Sequence, residues 1–328
     1  MKRIIAMLMA LMLCLGIMSG CTHDEDSQVV ATVGDETITA GELKYAIAVV
    51  KKQSVGQLQG DQVDEFWNTE KDGKDAETYI REKAMDLLLD IAVCAQAAKD
   101  NGITISSTEV DDYYQDNKES MEEALNSYPV TQETIKAILR KQMLYGKYGE
   151  RVLSADPRFN PTDEELQAVF SENYIKAQHI LKMNVDQETG DPLPKEEADR
   201  KLAEAQDLLA QIRAGADFAA LMNEYSEDPG IQQQPDGYVF TEGEMVQEFY
   251  EAAKALPENG VSDIVETSYG YHIIKRLPLD MEVDFPANLS KVKTFQMQAE
   301  EDKLIEELKA SMDIHQEDAK INAIPVKD

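Results

Sequence analysis

The chain has 328 residues, of which 63 are acidic and 32 basic, for a formal net charge of −31. A field of that sign disfavours nucleic acid and anionic lipid headgroups as partners, and the length is enough for two domains. The chain opens MKRIIAMLMALMLCLGIMSGC, with Lys2 and Arg3, an apolar run from Ile4 to Met18, and then the small pair Ser19 and Gly20. That is the layout of a secretory signal peptide, too short and wrongly flanked for a stable membrane span. Residues 1–20 hold two basic and no acidic residues, so the remainder carries 30 − 63 = −33. Such a charge suits a soluble body outside the cell with cationic or unfolded clients, and equally suits plain solubility.

The cysteine directly after the small pair resembles the lipobox of bacterial lipoproteins, with Met18 where that pattern usually has leucine. The resemblance implies that Cys21 becomes the mature N-terminus and carries a diacylglycerol. Two acyl chains anchor stably where one is marginal. An ordinary signal peptide cut near Gly20, with Cys21 incidental, is the alternative. With Cys14 removed and Cys21 acylated, Cys94 is alone and no intramolecular disulfide forms. Cys94 sits in a helical pattern and reads as a small packed side chain. Residues 21–28, CTHDEDSQ, read as an acidic spacer.

Residues 29–175 form a mainly helical section. VVATVGDETIT reads as a short strand pair turned at Gly34-Asp35. Thr39 with Glu42 three residues on is a capping box, which starts a helix. Ile80, Ala84, Leu87, Ile91, Ala95 and Ala98 lie on one helical face, stopped at Asn101-Gly102. SSTEVDDYYQDN (106–117) and PTDEELQAVFSEN (161–173) are each a capping signal followed by an amphipathic helix. Another helix starts at Thr131 and runs to about 152, and SADPRFNPT then breaks the pattern.

The texture changes over 176–277. KAQHILKM reads as a strand. A helix over 195–214 has the face Ala198, Leu202, Ala205, Leu209 and Ile212, and Gly215 ends it. Asp217 caps a short helix FAALMNEY. A brief strand YVF, a helix from GEMVQEFYEAAKAL, and the strands VSDIVE and YHIIKRL complete a small α+β domain with a four-stranded sheet. Residues 278–328 return to helix, with Phe295, Ala299, Leu304 and Leu308 among the apolar positions of 286–310 and no room for a separate core. They are expected to pack back on the first section, so that the sheet domain is inserted into a helical one. The tail KINAIPV could add an edge strand beside VVATV.

AQHIL, AGADFAALMNEYSEDPG, DGYVFTEGEMVQEFYEAA and ETSYGYHIIK, in this order, resemble the parvulin-type peptidyl-prolyl isomerases over nearly all of 176–277. The lipobox, helical flanks and single parvulin-like segment together are similar to PrsA-type foldase lipoproteins, and more distantly to SurA-type chaperones. The resemblance implies an α+β parvulin fold inserted into a helical chaperone domain. It implies catalysis of X–Pro rotation on unfolded exported polypeptides, with membrane attachment through Cys21, no nucleic acid, no cofactor and no metal; the oligomeric state stays open. By resemblance, His179 and His272 lie on adjacent central strands, Met245 and Phe249 surround the proline ring, and Asp228 and Tyr269 sit at further site positions.

The chemistry is consistent with that set. Rotating an X–Pro bond needs no nucleophile, and the barrier of roughly 20 kcal/mol is lost amide resonance. The twisted amide is less polar, so a water-poor apolar pocket favours it over the planar ground state. Met245 and Phe249, four apart, are expected on one helical face. Two histidines and one aspartate lack a convincing zinc spacing. Many parvulins read Gly-Gly-Asp-Leu-Gly where this chain has QPDGYVF, so Gly237 falls at the leucine and Tyr238 is the neighbour that could replace it. The histidines could also be core residues satisfying each other, and the chain could be a holdase on a non-catalytic parvulin scaffold.

Overall fold

The computed structural model describes residues 25–327 except 57, 59, 120–127, 129 and 188. The leader, Cys14 and Cys21 lie outside the described residues. The chain divides into two compact units: residues through Asn160 with those from Met297 onward, and Pro161–Gln296 between them in sequence.

In the first unit, β1 (Val29–Val33) turns through Gly34 into β2 (Glu36–Thr39). Thr39 caps α1 (Ala40–Val55): the Glu42 N–H donates to its hydroxyl at 3.3 Å, and the Glu42 carboxylate accepts the Thr39 N–H at 2.8 Å. Both partners of the capping box are therefore in place. The other Glu42 oxygen pairs with Lys141, and both side chains are buried. Then come α2 (Asp61–Asn68), α3 (Ala76–Asp100), α4 (Ser107–Asp116) and α5 (Gln132–Arg151). SADPRFNPT and the residue before it form two short 3-10 turns, Leu153–Ala155 and Pro157–Phe159. The expected single face of α3 is too narrow: Met85, Leu88, Leu89, Ala92 and Val93 are buried as well. This helix is the centre of the unit, packed by both α1 and α5.

In the second unit, α6 (Asp163–Asn173) leads into β3 (Ile175–Met183), followed by α7 (Lys195–Arg213) and α8 (Phe218–Tyr225). Next are β4 (Tyr238–Phe240), α9 (Gln247–Ala255), β5 (Val261–Thr267) and β6 (Gly270–Leu277). The sheet is antiparallel throughout, in the order β4-β3-β6-β5. Side chains alternate faces along a strand. Ile180 and Ile273 therefore point to one side, where Leu208 and Leu209 of α7 and Phe218 and Met222 of α8 cover them. Ala177 and Ile274 point to the other, against Phe240 and the Phe249, Tyr250 and Ala253 stripe of α9.

The long helix α10 (Asp284–Ser311) begins in the second unit, where Phe285 and Val292 pack with Leu166, Phe170 and Tyr174. Its later residues Leu304 and Ile305 belong to the core of the first unit. The strand that joins β1 is β7 (Ile314–Gln316), antiparallel through Thr32↔His315. This corrects the expectation for KINAIPV: that stretch holds α11 (Asp318–Asn322) and a turn. Its Ile321, Ile324 and Val326 are buried in the core without being part of a sheet.

Candidate active site

β3 and β6 are paired along eight positions, with His179 opposite Ile274 and Leu181 opposite His272. The two histidines are thus diagonal neighbours on the face that α9 covers. Their rings lie nearly parallel, 16° apart with centroids at 5.2 Å, and the two Nδ1 atoms are 3.0 Å apart. Both are buried, at 7% and 4% exposure.

Each imidazole has one further partner. His179 Nε2 lies 3.0 Å from Asp228 Oδ2, and His272 Nε2 lies 2.9 Å from Thr267 Oγ1. Asp228 Oδ2 also accepts the Tyr238 hydroxyl at 2.5 Å, and its Oδ1 accepts the Gly230 N–H at 3.0 Å. The Tyr269 N–H donates to Thr267 Oγ1 at 3.1 Å. With both rings neutral, one arrangement of protons satisfies every contact. Thr267 donates to His272 Nε2, His272 Nδ1–H donates to His179 Nδ1, and His179 Nε2–H donates to the Asp228 carboxylate.

This arrangement needs a neutral His272 and an ionised Asp228. Burial, and then the neighbouring His179, push the His272 pKa down to about 3, so its ring is neutral. Burial alone would raise the Asp228 pKa, but hydrogen bonds from His179, Tyr238 and Gly230 outweigh it and hold the carboxyl well below the usual range. Burial and the Asp228 carboxylate push the Tyr238 phenol up, so it remains a donor.

The loop carrying Asp228 is tied to β3. Glu227 N–H donates to Leu181 O at 2.9 Å, Leu181 N–H donates to Ser226 Oγ at 3.1 Å, and Met183 N–H donates to the Glu227 carboxylate at 2.8 Å. The Ser-Glu-Asp stretch therefore clips onto the strand that carries His179 and sets where Asp228 lies.

Phe249 packs edge-on against both imidazoles, at 5.2 Å from His179 and 5.4 Å from His272, and is 3% exposed. It forms a floor rather than an open wall. Met245 differs from expectation. It lies in the turn before α9, whose N-cap is Val246, so it does not share a helix with Phe249. It still packs half-buried into the same cluster. Tyr269 is 54% exposed in the β5–β6 turn, and only its backbone N–H joins the network. Thr267 was missed by the sequence reading, although a signal existed: with Ser268-Tyr269 as a two-residue hairpin turn, it falls on the face of His272.

Gly237 has φ +96°, and a Cβ there would lie 2.8 Å from the Ala177 carbonyl oxygen. No side chain fits at that position without backbone movement. The neighbouring cleft, about 490 Å3, is lined by Gly237, Tyr238, Met245 and Glu244, among others. Among the described residues, no group of three or more His, Cys, Asp or Glu side chains could hold a metal ion, and no helix is long and apolar enough to cross a membrane.

Comparison with known proteins places this geometry. Residues 166–277 match the PPIC-type PPIASE domain, and residues 1–149 match the SurA-like N-terminal domain. The foldase protein PrsA of Caldanaerobacter subterraneus is 33% identical over 284 residues, covering 84% of this chain and 82% of that protein. The chain belongs to the PrsA foldase family. The PrsA of Clostridium tetani is 26% identical over 93% of this chain and 91% of its own length. A solved peptidylprolyl isomerase (PrsA) from Bacillus cereus is 18% identical with a TM-score of 0.36, covering 90% of this chain and 96% of that one. As a PrsA-family chain with a parvulin-type domain, this protein is a peptidyl-prolyl cis-trans isomerase.

Proposed function

We propose that this chain is an extracytoplasmic foldase held to the membrane by a lipid on Cys21. Its clients are unfolded or partly folded exported polypeptides, and its second unit rotates their X–Pro bonds. The observation that carries the reading is the hydrogen-bonded run Thr267–His272–His179–Asp228 laid over Phe249. Every polar group in it has a partner, so the network is rigid and presents no free nucleophile.

In this reading the proline ring sits over Met245 and the edge of Phe249, and Tyr269 borders the entrance. The isomerase domain extends over 176–277 within the second unit, the first unit is the helical chaperone domain, and residues 21–28 act as the spacer from the anchor. The work of catalysis is desolvation: the apolar floor favours the less polar twisted amide. The paired imidazoles hold the sheet face and keep water out, and Asp228 supplies a fixed negative charge at one end.

The test is a set of variants of the full chain shown by amide exchange to remain folded. Phe249→Ala and Met245→Ala should lower kcat/KM most, Asp228→Asn less, and His179→Gln and His272→Gln least, leaving measurable turnover. Abolition of turnover by Asp228→Asn alone in a folded chain would make electrostatics primary and overturn the ranking. The second reading is a holdase. The glycine at 237, which leaves the cleft without a side-chain wall at that position, is what favours it. Suppression of client aggregation that persists with the proline site blocked separates the two.

A further inference from the structure

We propose that Tyr238 is a positioning residue of the isomerase site, a wall contributed from beside Gly237 and locked in place by Asp228. The proposal rests on reading His179, Asp228 and Phe249 as that site.

Three independent features meet at this side chain. The first is room. Position 237 cannot carry a side chain, because its Cβ would press on the Ala177 carbonyl oxygen. Tyr238 is the next residue, on edge strand β4, and with Met245 it lines a cleft beside the site, whose lining does not include His179, Asp228, Phe249 or His272. The second is contact. Its ring stands edge-on to His179 at 5.6 Å, and its hydroxyl donates to the same Asp228 oxygen that receives His179 Nε2–H. One carboxylate oxygen therefore holds an imidazole and a phenol together. The third is clearance. A Cβ on Gly230 would lie 2.3 Å from the Tyr238 hydroxyl oxygen, but 3.4 Å from the ring carbon bearing it. Glycine at 230 thus leaves the space that the hydroxyl occupies, while its own N–H donates to the other Asp228 oxygen.

Two consequences follow. Asp228 has a second task beside orienting His179: it fixes the ring angle of Tyr238. Tyr238 in turn supplies one of the donors that keep Asp228 ionised, so phenol and carboxylate stabilise each other's position and charge state.

The experiment uses the full chain and four proteins: parent, Tyr238→Phe, Gly230→Ala and the double variant. Two readouts are taken, kcat/KM on an X–Pro peptide and the titration of the Asp228 carboxyl carbon by NMR. Removing one hydrogen bond to a charged group is expected to lower kcat/KM about tenfold in Tyr238→Phe. The Asp228 titration should move upward in the same variant. Gly230→Ala should do the same in the parent background by displacing the hydroxyl. It should do little more in the Tyr238→Phe background, where no hydroxyl is present to displace. Equal and additive effects of Gly230→Ala in both backgrounds, or an unmoved Asp228 titration in Tyr238→Phe, would overturn the proposal. If the parent does not turn over the peptide, the isomerase reading fails by itself, and the Asp228 titration still decides whether Tyr238 is locked as described.

Discussion

His272 is expected to make the domain sensitive to acid, and the size of the effect follows from its burial. The ring is 4% exposed and neutral, its pKa held to about 3, while an unfolded imidazole titrates near 6.5. Between those values the unfolded chain binds a proton that the folded chain excludes. Stability is therefore level above about pH 6.5 and falls as pH drops below it. At pH 5, ~1.5 pH units below the unfolded midpoint, ~1.4 kcal/mol per unit amounts to a loss of about 2 kcal/mol. Asp228 adds a loss of the same sign only lower, since a depressed carboxyl stabilises above the unfolded value of about 3.9 and that contribution disappears as pH falls through the folded value. The assay is amide exchange of the β3 and β6 N–H groups at pH 7 and pH 5, corrected for intrinsic exchange, in the parent and in His272→Gln. The variant will be less stable at both pH values, so the slope is the readout. The parent should lose about 2 kcal/mol more than the variant over this interval. Equal slopes would show that His272 is not held neutral by its surroundings and refute the proton arrangement of the network.

Three further outcomes are expected. Cys21→Ser should release the protein from the membrane fraction or block its processing, and a variant as tightly bound as the parent would exclude the anchor. A chain ending at Gln296 loses β7 and the core residues Leu304 and Ile305, so the first unit should lose cooperative unfolding while the second keeps its own transition; two unchanged transitions in calorimetry would contradict this. Burial, chiefly, pushes the Cys94 thiol up, so a thiol reagent at pH 8 should label it only as fast as the first unit opens, a rate that denaturant should raise.

Much of the candidate site was legible because its residues sit at the ends of strong local signals. His179 and His272 lie in apolar strand runs, Asp228 follows a capped helix, and Phe249 lies on an amphipathic helix, so matching ordered stretches of sequence brought them together. What escaped depends on tertiary geometry. Met245 is in helical register with Phe249, yet Val246 takes the N-cap, so periodicity overran the helix start by two residues. The Tyr238–Asp228 bond is set by a turn passing Gly230 and by the crowding at Gly237, neither of which has a pattern along the chain. The width of the α3 burial depends on how many neighbours surround that helix, and its alanines and methionine score weakly as a stripe. β7 is three residues, two of them polar, and offers no alternation to read, whereas the more apolar KINAIPV is buried without pairing.

The central claim is that the second unit rotates X–Pro bonds through an apolar floor under a closed hydrogen-bond network. It is tested most directly by exchange NMR on a short X–Pro peptide with catalytic amounts of the full chain. Cis-to-trans exchange should run faster than the uncatalysed rate, and the acceleration should be lost in Phe249→Ala shown to be folded. A folded parent that binds the peptide and leaves the exchange rate unchanged would contradict it.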